Sequence, residues 1–229
     1  MLIDVANLKD GLPRSTCAMN LACELADHDN LTGDRWQGKR RVVLFDADPN
    51  KGTETRYGYR GHLPVSHEYM PLGDSTIELW VGRLLSIAAE VDYLVVDSPP
   101  EFDSVTKAII AVSDLVIVPC SSAGADMLAA SSVMDLLTKA RATRADGGPK
   151  CLLVPTRTKP LTAGQEPGID WRKFGEPIGP AIQERSAYED AFAGRWIGDF
   201  AHFSPAHLAI AALAAAVERI LGAQASLTG

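Results

Sequence analysis

The chain has 229 residues, 46% of them hydrophobic, which suits one α/β domain over residues 1–229 with strands covered on both faces. Lys and Arg number 22 against 29 Asp and Glu, so the surface as a whole repels nucleic acid and anionic membranes, and any DNA contact needs a local basic patch. Cys17, Cys23, Cys120 and Cys151 form no C-x-x-C pair and have no histidine at metal-ligand spacing, which argues against zinc, an iron–sulfur cluster or a redox pair.

In chain order, the first apolar run covers residues 2–6 and leads through a short polar stretch to a helical pattern at 15–26. A second run at 41–45 follows the polar segment 27–38, and the Gly-, Pro- and charge-rich segment 51–73 reads as a surface connection. A helix at 75–89, a strand at 93–96, a helix at 103–112 and a strand at 115–119 come next. After them follow a helix at 126–142, a connection at 144–150 and a strand at 151–154. The segment 157–177 is long for a connection, a length that often carries function. Helices are expected at 179–193 and 205–221, the last packed as a terminal helix because it lacks a basic amphipathic face. Continuous apolar runs alternating with helices predict a parallel sheet built by right-handed crossovers. No window reaches roughly 18 apolar residues, and the N-terminus lacks a basic run before an apolar stretch, so a cytoplasmic protein without membrane association is expected.

Open parallel sheets bind ligands beyond the carboxyl ends of their strands. After the first run stand Asn7, Leu8, Lys9, Asp10, Gly11, Leu12, Pro13, Arg14, Ser15 and Thr16, opening directly into a helix with Asn20-Leu21-Ala22. After the second stand Asp46-Ala47-Asp48-Pro49-Asn50, which alone would read as a capped turn. The third run ends in Asp97-Ser98-Pro99-Pro100, and a buried carboxylate at a strand end needs a partner. The fourth is Ser113-Asp114-Leu115-Val116-Ile117-Val118-Pro119, followed by Asp126-Met127-Leu128-Ala129-Ala130.

In this order and spacing the motifs resemble those of the ParA/MinD family, and of ParA/ParF partition proteins in particular, over about residues 1–200. The first matches the deviant Walker A form K-G-G-x-G-K-[ST]-T, the second the D-x-D-P-Q segment, and the third the Walker B form with D-x-P-P. The resemblance implies a P-loop NTPase-like, mostly parallel α/β sheet flanked by helices, ATP or ADP with Mg²⁺ as cofactors, and ATP hydrolysis. It implies Lys9 and Asp48 as catalytic residues, Lys9 reaching the partner's phosphates in a sandwich dimer and Asp48 positioning the attacking water. The nucleotide would be held by Lys9, Asp10, Gly11, Leu12, Pro13, Arg14, Ser15 and Thr16, and by Thr156 and Arg157 where the family's adenine-contacting loop begins. The metal would be held by Ser15, Asp48 and Asp97. A homodimer, a ParB-like or ParG-like adaptor and non-specific DNA binding are the implied partners.

Three positions depart from the motif. Asp10 puts a carboxylate where phosphate oxygens would sit, Pro13 removes an N–H donor and fixes φ, and Arg14 replaces a compact ammonium by a planar fork. Together they predict weakened nucleotide binding and leave two readings open: an ATP-dependent partition-type switch, or a pseudo-ATPase serving as a dimerisation or partner-binding module. In such a site Arg14 and Lys9 are alternatives to a metal as the partner of Asp97. For DNA contact the candidates are Lys139, Arg141, Arg144 and Lys150, with Arg172, Lys173 and Arg185, against the plainer reading of a solvated helix face.

Overall fold

The computed structural model describes residues 1–8, 13–27, 40–50, 63–73, 75–100, 103–121, 124–158, 171–190 and 195–225. In order these form β1 (Leu2–Val5), α1 (Arg14–Ala26), β2 (Val42–Asp46), β3 (Ser66–Tyr69), α2 (Ile77–Glu90) and β4 (Tyr93–Asp97). There follow α3 (Ser104–Val112), β5 (Leu115–Cys120), α4 (Gly124–Thr143), β6 (Lys150–Thr158), a 3₁₀ turn (Trp171–Phe174) and β7 (Ile182–Gln183). Three helices close the described chain: α5 (Ser186–Asp190), α6 (Ile197–Phe200) and α7 (Pro205–Ala225).

The seven strands lie in the order β3-β2-β4-β1-β5-β6-β7, and every pairing is parallel. Side chains alternate across each strand, so each run divides between two cores. Ile3, Val5, Leu44, Val95 and Ile117 face α1 and α7. On the opposite side Leu2, Val43, Phe45, Leu94 and Val96 face α2 and α3, where Trp80, Leu84, Val105 and Ile109 are buried. Val116, Val118 and Leu153 meet Val133 and Leu137 of α4 on that same side. Each such burial stabilises the fold by roughly 1.5–3 kcal/mol, before the entropy of ordering is set against it. Thr76 caps α2 through its hydroxyl and Asp103 caps α3 through its carboxylate, each accepting a backbone N–H of the first turn.

Three expectations need correction. Within the segment 51–73, taken as a connection, Ser66–Tyr69 forms the edge strand β3; its Ser-His-Glu-Tyr sequence carries no apolar run because it is covered on one side only. Residues 179–193 are not one helix: Ile182 pairs with β6, and the described helix there is the short α5. By length and composition alone α7 could cross a membrane over residues 205–222, contrary to the window count. Its Ile210, Leu213, Val217 and Leu221 are nevertheless buried in the core shared with α1.

The seam between α1 and α7 also holds a buried polar pair, Glu24 and His207, with Nε2 and Oε2 3.0 Å apart. Burial raises the Glu24 carboxyl to about 7, helped by the negative charges of Asp27 and Glu218. Burial lowers the His207 imidazole below its ordinary value. Nearby, Asn20 donates to the Thr16 carbonyl and accepts the Ile197 N–H at 2.8 Å, tying α1 to α6. All four cysteines are free and buried, and burial pushes the Cys17 thiol up to about 12.

Candidate functional site

The strand order makes β1 a switch point: the chain leaves it for β2 on one side and later crosses to β5 on the other. The carboxyl ends of β2, β4 and β1 therefore meet beneath the N-terminus of α1. Asp46 and Asp97 are register partners, and Val5 is level with Asp97 on the other side. By the alternation of each strand, both carboxylates share the α1 face with Leu44, Val95 and Val5.

Asp97 is buried, and among the described residues neither carboxylate oxygen is hydrogen-bonded. Its pKa is raised to about 7, chiefly by burial and then by the charge of Asp46 and, less, of Asp48. The Ser15 hydroxyl and the Arg14 guanidinium act in the opposite direction. Asp48 is buried and its Oδ1 accepts the Asn50 N–H at 2.8 Å, while Asp46 Oδ1 accepts the Asp48 N–H at 3.0 Å. The Asp-x-Asp-Pro-Asn stretch is thus a capped turn, as its residues alone suggested, and that turn fixes where Asp48 stands.

Pro13 is the N-cap residue of α1 and offers no side-chain cap; its carbonyl accepts the Cys17 N–H at 2.8 Å. Arg14, Ser15 and Thr16 of the first turn are all buried. Arg14 is only 6% exposed, and its Nη1 donates to the carbonyl of Asn7 at 2.6 Å. Asn7 in turn donates its side-chain amide to the Pro119 carbonyl, which joins the loop after β1 to the end of β5. Lys9, Asp10, Gly11 and Leu12 lie outside the described residues.

Sequence reasoning missed Asp4. It is wholly buried within β1 and accepts the Ser98 hydroxyl at 2.6 Å on Oδ1, while Oδ2 has no partner among the described residues. Burial raises its carboxyl to about 7, against the Ser98 hydrogen bond and the charge of Arg14. A lone acid within an apolar run was the available signal.

Thr156 and Arg157 end β6, two strands from β1 and so roughly 10 Å to the side. Thr156 is buried, and Arg157 is exposed with φ 51°, at the irregularity in the β6–β7 pairing. A left-handed arginine at a strand end is an uncommon conformation of the sort found at binding loops.

Of the basic candidates, several have structural employment. Arg141 pairs with Glu176, Arg144 with Asp146 and the Ser113 carbonyl, and Lys150 donates to the Ile220 carbonyl at 2.6 Å. Arg185 bonds Gln183, whereas Lys139, Arg172 and Lys173 are exposed. The helix-face part of the patch is therefore largely spent on fixing the turn between α4 and β6.

A parallel sheet with a helix opening after its central strand, and acidic strand ends gathered beneath that helix, defines a P-loop NTPase fold of the deviant Walker type. No protein-family model matches the chain. "Maintenance of carboxysome distribution protein A" of Gloeobacter kilaueensis is 29% identical over 209 residues, covering 86% of this chain and 85% of that one. The chromosome partitioning protein ParA of Myxococcus xanthus is 25% identical over 154 residues, covering 52% of this chain and 51% of its own. Among solved structures, a Cyanothece McdA–ATP complex matches with a TM-score of 0.74 at 16% identity, over 96% of each chain. A chain of the MinC:MinD cell division complex of Aquifex aeolicus matches with the same TM-score and identity, over 95% of this chain and 96% of that one. Taken with the motif order, these relatives show that the chain resembles the deviant Walker ATPases of the ParA/MinD family.

Proposed function

We propose that the protein is a ParA/ParF-like partition or positioning ATPase of the cytoplasm that binds ATP with Mg²⁺ as a nucleotide-sandwich homodimer. The observation that carries this reading is Asp97: a buried carboxylate with neither oxygen hydrogen-bonded among the described residues, beside Ser15, Asp46 and Asp48 under a helix N-terminus. Hard oxygen donors of this kind suit Mg²⁺, with Ser15, Asp48 and Asp97 the residues that would hold it. When bound, the ion would neutralise phosphate charge. The first turn of α1 would present N–H groups to phosphate, Asp48 would orient water, and Lys9, outside the described residues, would serve the partner's phosphates. Thr156 and Arg157 would contact the base. The carboxysome-distribution and chromosome-partitioning relatives support a cargo-moving role with an adaptor of the ParB or ParG kind, and the exposed Lys139, Arg172 and Lys173 suit weak, salt-sensitive contact with DNA.

A second reading, a non-hydrolysing pseudo-ATPase acting as a dimerisation or partner-binding module, is favoured by Arg14, which is turned inward onto the Asn7 carbonyl. One titration separates the two: a fluorescent ATP analogue and ADP, with and without Mg²⁺, while light scattering follows mass. The switch requires magnesium-dependent binding with ATP-specific dimerisation, and loss of that binding in Asp97→Ala. Absence of binding at millimolar nucleotide leaves the pseudo-ATPase.

A further inference from the structure

The carboxyl end of β4 is held only loosely by its backbone. At the other end of the strand the Leu94 N–H donates to the Met1 carbonyl at 2.8 Å, whereas the Ser98 N–H reaches the Val5 carbonyl only at 3.4 Å, the outer limit of a hydrogen bond. Pro99 and Pro100 follow, and neither has an N–H to offer. Asp97 stands at this end of the strand. Since neither of its oxygens is hydrogen-bonded among the described residues, its carboxylate is aimed by the backbone beneath it.

What ties that backbone down comes from the other face of the sheet. Asp4 alternates with Leu2 and Ala6, so it lies on the face of α2, α3 and α4, as Ser98 does by alternation with Val96. There the Ser98 hydroxyl donates to Asp4 Oδ1 at 2.6 Å, both side chains being buried. As core filling the pair is costly, because Asp4 Oδ2 is left without a partner among the described residues. Two apolar side chains of similar size in the same places would hold the core at little or no loss of stability. The contribution of the pair therefore lies in where it holds the end of the strand.

We infer that Asp4 is a positioning residue for Asp97, acting through Ser98 from the reverse side of the sheet. Its hydrogen bond fixes the peptide between Asp97 and Ser98, and with it the direction of the carboxylate on the α1 face. This role rests on the reading of Asp97 as a metal ligand, whereas the hold on the strand end belongs to the empty protein and is measured there first.

The test has two arms on the full chain. In the first, amide hydrogen exchange is followed by NMR without metal or nucleotide in Ser98→Ala and in the double variant Asp4→Val with Ser98→Ala. The amide of Ala47, which donates to the Asp97 carbonyl at 3.1 Å, and the amide at position 98 are expected to exchange at least about tenfold faster in both, while that of Leu94 keeps its rate. Asp4→Asn, which keeps an oxygen for the Ser98 hydroxyl, is expected to retain wild-type exchange. Unchanged rates at positions 47 and 98 would overturn the inference, and so would faster exchange along the whole of β4 with a lower urea midpoint, the mark of an ordinary fastening. In the second arm, the Mg²⁺ concentration for half-maximal binding of the fluorescent ATP analogue is expected to rise about tenfold or more in the double variant and to stay at the wild-type value in Asp4→Asn. The urea midpoint of the double variant is expected to match the wild type, a split that a merely stabilising contact does not produce. An unchanged Mg²⁺ requirement would overturn the positioning of Asp97. Failure of the wild type to bind the analogue would overturn the nucleotide reading instead, and the first arm then decides the role of Asp4 alone.

Discussion

Two buried acids flank α1, and their surroundings differ in kind. Glu24, in its last turns, faces His207 at 3.0 Å, a single partner that answers its single need. Asp97, beneath the first turn, has both oxygens unpaired among the described residues and other carboxylates beside it. Burial raises both to about 7, so the pKa does not separate them; the partners do. A paired acid is a fastening, while an acid left wanting a cation, at the carboxyl end of a parallel sheet, marks a place where something charged is received.

The comparison breaks first at the fastening. Glu24→Ala strands an imidazole in the α1–α7 seam and is expected to cost about 3 kcal/mol, as is His207→Ala. The double variant should lose little more than either single one, since the two act as a pair; urea midpoints measure this. Gly198→Ala loosens the same seam without touching a charge. Its new Cβ would fall 2.1 Å from the Trp196 ring, so a loss of about 1–3 kcal/mol is expected by the same measurement. Asp97→Asn, by contrast, should leave metal-free stability within about 1 kcal/mol of wild type, because it removes a costly buried charge and breaks no hydrogen bond among the described residues. A loss as large as that of Glu24→Ala would mean Asp97 is a fastening too.

The finest distinction is in pH. Glu24 has its carboxyl raised from 4.5 to about 7, so the folded state holds the extra proton and stability falls as pH rises through that window. His207 has its pKa lowered from 6.5, so the unfolded state holds the extra proton and stability rises as pH climbs towards 6.5. The pair thus partly cancels. Glu24→Gln should expose the rising trend and His207→Gln the falling one, read from urea midpoints between about pH 4.5 and 7, from the ordinary carboxyl range to just above the ordinary imidazole range.

The central strands were legible because burial on both faces makes them continuous apolar runs, and Asp46 and Asp97 were legible because they stand at the ends of those runs. Edge strand β3 was not, since Ser66, His67, Glu68 and Tyr69 carry no such run. The helix expected at 179–193 failed because Ile182 is claimed by a partner in β6, and local spacing cannot reveal a pairing made by distant residues. Asp4 with Ser98, and Glu24 with His207, were hidden for the same reason: they join residues 94 and 183 positions apart. The altered Arg14 was visible in the sequence, but its inward course onto the Asn7 carbonyl was not.

Asn20 carries a consequence of its own. Its amide grips the Thr16 carbonyl in the first turns of α1 and the Ile197 N–H of α6 at once. Any shift of the first turn is thereby felt at an amide 177 residues beyond Asn20. The deuterium uptake of Ile197 is a built-in gauge of what happens at the head of α1, readable on the unlabelled protein and without a probe at the site itself.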